Sequence, residues 1–334
     1  MQLARRDDVY RAYWSLAAER QRVFLRRVGG EPPPWTEDAI LRRYKFTNAY
    51  RASDRVSQFL IRDVIYGADH DPDDTLLRIV FFRLFSKIET WRALERVLGP
   101  VTRRSLRGEL LGRELDRLQA AGPIYTSAFI LCANKAFGFE RKHQNHVALI
   151  RAMFRRRALP RAIARARSLA DVYEALRAYP LLGRFMAYQL AIDINYSELV
   201  DFSEDDFTVP GPGAERGIRK IFPGARRPEM PRIIAWMTES QEEEAARLGI
   251  ELPTLFGRRL HAIDCQNLFC ELDKYARVAF PELTSERRRI KASFRPHGDP
   301  LPLFYPPKWG LNERLSRAGA AQLALALDEV EEAA

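Results

Sequence analysis

Cysteine is nearly missing: the 334 residues hold only Cys132, Cys265 and Cys270. Three thiols cannot build a disulfide framework, so the expected setting is a reducing cytoplasm. Long apolar runs are missing too. No stretch approaches the roughly 18 residues that cross a bilayer, and the opening MQLARRDDVYRAYW lacks the apolar core of a signal peptide. There is no Walker loop, no G-x-S-x-G elbow and no Rossmann fingerprint. His143 and His146 stand at i, i+3, but no acid or cysteine lies beside them at metal-ligand spacing, and CQNLFC is not a zinc knuckle. No metal and no cofactor is expected. Internal repeats and alternating strand patterns are also lacking, which leaves an all-α protein.

Positive charge is plentiful. The formal net charge is +10, and acids and bases alternate along most of the chain, so the excess is not confined to a tail. Basic clusters fall at 103–113, 151–167, 216–227 and 287–291. A surface of this kind favours a polyanion, and nucleic acid is the usual one. Arginine-rich composition from a GC-rich genome is the plain alternative.

Apolar periodicity predicts helices over 7–28, from Thr36 as N-cap, over 48–66, through TLLRIVFFRLFSKIETWRALERVL, over 101–120, from Ser168 or Asp171, after the turn AYPLLG, over 229–248 and through HAIDCQNLFCELDKYAR. GPIYTSAFILCAN reads as a buried segment. The expected domain is 1–283, in one body or two helical lobes. A basic, Pro-rich extension follows at 284–334, with a closing helix at 313–332.

Several patterns carry chemistry. YPLLGRFMA has the shape of a helix–hairpin–helix turn, in which glycines bring backbone N–H groups to a DNA phosphate. Pro180 and Gly183 fit, Arg184 follows, and Leu181 stands where the first glycine belongs. In helix–hairpin–helix DNA glycosylases a catalytic aspartate follows at about the distance of Asp206, with Asp205 and Asp193 as competitors. Gly211 and Gly213, ahead of Arg216, Arg219 and Lys220, read as a phosphate cradle or as an ordinary loop. Asn48, Arg51 and Arg55 share a face if 48–66 is one helix, as a phosphate grip or a solvated surface. Asp264, Asn267, Glu271 and Lys274 line one stripe of the last long helix. The stripe is either the wall of a site or a solvated face.

Four segments resemble the alpha-glutamyl/putrescinyl thymine pyrophosphorylase family of DNA base hypermodification proteins, which has relatives joined to 5-hydroxymethyluracil DNA kinases. They are ERQRVFLRRVGGEPPPWTEDAILRRYKFTNAYRASDRVSQFLIRDVIY, GRFMAYQLAIDINYS, DFTVPGPGAERGIRKIF and IDCQNLFCELDKYAR, in order across about residues 12–280. The resemblance implies a glycosylase-like helical domain that flips a modified thymine out of double-stranded DNA. It also implies that the protein replaces the pyrophosphate of 5-(pyrophosphoryloxymethyl)uracil with an amine, from putrescine or an amino acid.

On that basis Asp206 or Asp264 would take the proton of the amine. Glu271 and Lys274 would belong to the same catalytic group, with Lys274 at the leaving group or a carboxylate. Tyr188, Gln189 and Asn267 would meet the flipped base. Asn48, Arg51, Arg55, Gly183, Arg184, Gly211, Gly213, Arg216, Arg219 and Lys220 would hold DNA phosphates. Two competing expectations are a DNA N-glycosylase acting on a modified base and a non-catalytic DNA-binding partner of a base-modifying kinase. A hydroxymethyluracil DNA kinase is a further expected partner.

Overall fold

Acids in the first turn (Asp7, Asp8) and arginines in the last (Arg26, Arg27) suit the dipole of the first helix, α1 (Asp7–Val28). Its Tyr10, Tyr13, Trp14 and Phe24 are buried, as the apolar period predicts. The computed structural model describes residues 4–126, 135–283, 289–290, 292–294 and 302–315. Regular structure among them is helical, with only two isolated bridges. The all-α class read from the sequence is the class observed.

The chain divides into two units. One runs to Asp54 and resumes at Glu204, and the other is Arg55–Ser203. In the first unit α1 is followed by α2 (Ala39–Arg43). Its cap is Asp38, not Thr36: the Asp38 carboxylate accepts from the N–H groups of Ile40 and Leu41 at 2.8 and 3.0 Å.

The second unit begins with α3 (Arg55–Phe59), which passes directly into a π-helical turn, Leu60–Ile65. Residues 48–66 are therefore not one α-helix. Asn48 lies in a loop, Arg51 opens a 3-10 turn (Arg51–Ser53) and Arg55 starts α3. Next come α4 (Pro72–Phe85) and α5 (Ile88–Leu98), where the sequence predicts a single helix. Ser86 breaks them in a left-handed conformation, φ 50°. The remaining helices are α6 (Leu110–Ala121), α7 (Lys142–Phe154), α8 (Ala158–Arg165), α9 (Leu169–Arg177) and α10 (Arg184–Asn195). Ser168 caps α9 as expected, accepting from Asp171 N at 3.1 Å. Arg83 of α4 grips Asp193 of α10 through two hydrogen bonds, and neither side chain is more than 1% exposed.

Back in the first unit, α11 (Pro212–Ile221), α12 (Met230–Glu239), α13 (Gln241–Arg247) and α14 (Ala262–Ala279) complete the set. The helix expected over 229–248 is two helices that meet at Ser240, whose hydroxyl bonds back to Trp236 O at 2.7 Å. The core of this unit is α14, which packs on α1, α11 and α12. A Cβ on Gly217 of α11 would lie 1.9 Å from Phe269 O of α14, so only glycine allows this approach.

Residues 302–315 pack on the first unit. Tyr305 is fully buried and its hydroxyl meets Ser53 Oγ at 2.8 Å. Arg258 lies 3.7 Å over the Trp309 ring. Most of the closing helix, most of the apolar part of GPIYTSAFILCAN, and Cys132 lie outside the described residues.

Candidate functional site

The polar stripe of α14 meets the segment 45–54 of its own unit. Glu271 accepts from Thr47 N at 3.1 Å and from Lys274 Nζ at 2.6 Å. Lys274 also donates to Lys45 O at 3.1 Å and lies 4.9 Å over the Phe46 ring. Asp264 accepts from Arg51 N at 2.7 Å and from His261 N at 3.0 Å, which caps α14 and fixes the 3-10 turn at once. Burial, then the charge of Glu204, raises the Asp264 carboxyl to about 6. Asn267 is half-buried on the same stripe. The stripe is thus neither open to solvent nor free for chemistry along its whole length, because two of its acids hold backbone.

Sequence reasoning missed the centre of this arrangement. Asn48 N donates to Asp54 Oδ1 at 2.8 Å, and Asn48 Nδ2 donates to Ser53 O at 2.8 Å. Arg20 of α1 reaches across to Thr47 O at 2.9 Å and Asn48 Oδ1 at 3.1 Å. Burial pushes the Asp54 carboxyl up to about 7. Glu271 adds to the rise, while the Asn48 N–H, Arg20 and Arg51 oppose it. Asp54, Glu271, Asn48 and Arg20 form a buried polar cluster with one carboxyl that changes charge near neutrality. Nearby, Thr47 Oγ1 is buried and finds no hydrogen-bond partner. The one signal available in sequence was Asp54 itself, three residues beyond Arg51 in YRASDR.

Asp54 ties stability to pH. Its folded pKa lies above the unfolded one, near 3.9, so its contribution is present below about pH 4 and is lost as pH rises through 7. Asp54→Asn should melt with a smaller drop between pH 5 and pH 8 than the wild type. Equal drops would rule out the buried carboxyl as the cause.

The other expected site residues are distributed as follows. Asp206 is exposed. Its neighbour Asp205 is the engaged one, accepting from Ala262 N, His261 Nδ1 and Arg259 at 3.0, 3.1 and 2.9 Å. Burial alone would raise the Asp205 carboxyl, but His261, Ala262 and Arg259 hold it below the usual range. Asp193 is spent on Arg83.

Gly211 is the N-cap of α11. A Cβ on Gly213 would lie 2.3 Å from Cys270 Sγ, so Gly213 serves close packing, not an open cradle. Arg216 and Lys220 turn inward to Asp273, at 3.1 and 3.2 Å, and Arg277 joins them at 2.7 Å. Arg219 is 44% exposed, 3.8 Å from Glu215. Arg51 is buried, so it is not part of a solvated surface.

In the second unit Gly183 and Arg184 are exposed at the start of α10, and Arg55 is half-buried. Leu181, in the first glycine position of the hairpin, has φ 71°, the conformation a glycine would supply. Tyr188 and Gln189 are fully buried, so neither offers a surface to a base as the fold stands. His143 pairs with Asp116 at 2.7 Å and His146 with the Tyr125 hydroxyl at 3.0 Å. Burial, followed by the charges of Lys142 and His143, lowers His146 to about 3. Among the described residues no three His, Cys, Asp or Glu side chains gather to hold a metal ion, and no helix is long and apolar enough to cross a membrane.

Comparison with known proteins gives two findings. Residues 7–285 match the family model described as "5-hmdU DNA kinase, helical domain". The chain is also 26% identical over 281 residues to a 5-hmdU DNA kinase of Bacillus phage SP10, an alignment that takes in 79% of this chain and 44% of that protein. The chain therefore spans less than half the length of that relative. No solved structure matches.

The expected grouping with thymine hypermodification proteins holds at that level, but not for the pyrophosphorylase branch. The expected reaction, an amine displacing pyrophosphate from the modified uracil, is overturned, because both matches are to a kinase.

Proposed function

Because the chain belongs to the family of 5-hmdU DNA kinase helical domains, we propose that it is the DNA-binding partner of a base-modifying kinase. In this reading it holds duplex DNA that carries 5-hydroxymethyluracil and presents the hydroxymethyl group for phosphorylation. The match over residues 7–285 carries the reading. The net charge of +10 supports it, since a duplex rewards neutralised phosphates. In this reading the kinase binds the nucleotide and this chain handles the base.

The buried polar cluster of Asp54, Asn48, Glu271 and Arg20 is the place assigned to the modified base. A carboxyl near pKa 7 exists in both protonation states at neutral pH. It therefore accepts from, or donates to, a hydroxyl, whereas a thymine methyl offers neither bond. Reaching such a cluster requires the base to leave the duplex stack.

The test is equilibrium binding to two duplexes that differ only in 5-hydroxymethyluracil or thymine at one position. The wild type should prefer the hydroxymethyl duplex by about tenfold, the worth of one hydrogen bond inside a site. Asp54→Leu, which can neither donate nor accept, should keep its affinity for the thymine duplex and lose most of the preference. Equal wild-type affinity for the two duplexes would refute the reading.

A further inference from the structure

Two basic stretches that are far apart in sequence meet in the Arg55–Ser203 unit. Arg151 of α7 donates to Leu106 O and Gly108 O at 3.0 and 2.9 Å, which seats the end of α7 against the turn that precedes α6. Arg103 from that turn and Arg157 at the start of α8 both bind Asp73. Arg103 also binds Asp74 at 2.9 Å and reaches Asp71. The three aspartates at the head of α4 thus clamp two arginines and gather the segments that carry the others.

What remains outside the clamp is a group of exposed arginines. Arg104, Arg107, Arg155, Arg156, Arg161 and Arg165 are exposed, and none of them forms an ion pair with another described residue. Arg157, Arg161 and Arg165 follow at i, i+4 and i+8, so they form one stripe of α8, while Leu159 and Ile163 bury the opposite face. The corner between α7 and α8 is held in an unusual way. Arg156 and Arg157 are consecutive left-handed residues, at φ 53° and 56°, where a chain selected for stability alone would favour glycine or asparagine.

We propose that this arginine face, assembled by the Asp71, Asp73 and Asp74 clamp, is where the sugar–phosphate backbone of a nucleic acid duplex docks. It rests on the reading of the chain as a DNA-binding partner and adds where the phosphates lie. The unclamped part of the α8 stripe, Arg161 to Arg165, spans about 6 Å, and a duplex carries a charge for every 1.7 Å or so of its axis. The face therefore matches several successive phosphates, not one phosphorylated residue. Guanidinium forks suit phosphate oxygens. No base is read, so the grip is independent of base modification.

The test is a salt titration of the full chain on an unmodified duplex of about 20 base pairs. It compares the wild type, the triple variant Arg155→Gln/Arg161→Gln/Arg165→Gln, and a control with the same charge change in the other unit, Arg226→Gln/Arg232→Gln/Arg247→Gln. The face variant should lose about 2–3 from the slope of log K against log salt. It should bind at least tenfold more weakly at 0.15 M salt and keep the wild-type melting temperature. The loss should be equal on thymine and hydroxymethyluracil duplexes, while the control keeps most of the slope.

A wild type that binds while the face variant matches it, or the control falling as far as the face variant, overturns this face alone. A wild type that binds polyglutamate but no duplex overturns it in favour of an acidic protein partner. A wild type that binds the unmodified duplex without preferring the hydroxymethyl one leaves the face standing and sinks the base-recognition reading instead.

Discussion

Asp273→Asn should destabilise the protein by about 3–5 kcal/mol, the range for breaking a buried ion pair on one side. Asp273 is fully buried on α14 and is the shared counter-charge for Arg216, Lys220 and Arg277. The substitution keeps the shape and removes the charge, so three cations lose their counter-ion. Lys220 suffers most, because it is itself buried and also donates to Asp273 O at 3.0 Å. Burial already lowers the Lys220 pKa, and Asp273 holds it up. Without Asp273 it falls further, so the folded variant sheds that proton more readily than the unfolded chain. The variant's deficit should therefore shrink as pH rises from 7 towards 10. Urea unfolding at pH 7 and pH 9.5 measures both effects. A loss below 1 kcal/mol at pH 7 would show that water screens the cluster.

Gly217→Ala should cost at least about 3 kcal/mol, the upper end of ordinary overpacking. In an open helix the same change gains about 1 kcal/mol, so the sign reports the contact. The added Cβ would sit 1.9 Å from Phe269 O and 2.7 Å from its carbonyl carbon, both of which are backbone of α14. No rotamer relieves that, and α11 must move off α14. Gly213→Ala should be milder, near 1 kcal/mol, because its nearest obstacle is Cys270 Sγ at 2.3 Å, a side-chain atom that can turn away. Thermal melts of the two variants should keep that order. A neutral Gly217→Ala would show that α11 and α14 lie further apart.

Features set by local interactions were legible in the sequence. The period of α1, the Ser168 cap and the span of α14 depend on residues within a turn or two. The break at Ser86 was not, since neither glycine nor proline marks it, and the apolar run continues through it. The loop at 48–54 was hidden for a related reason. Its backbone is held by Asp264 and Glu271, more than two hundred positions away, and they override a helical pattern. The polar stripe of α14 could be read as meaningful, but its partner could not. Asp264 and Glu271 turned out to organise the segment that carries Asp54. Gly213 looked like a phosphate loop because packing glycines and cradle glycines are alike until the neighbouring helix is seen.

The discontinuous unit sets an order on synthesis. Tyr13 of α1 donates to Cys265 O, 252 positions later, and the Arg55–Ser203 unit is made whole in between. At about 5–20 residues per second, α1 waits on the order of tens of seconds for the helix that covers Tyr13. During that interval Tyr13 has no Phe269 to pack on, while the residues of the middle unit are already made.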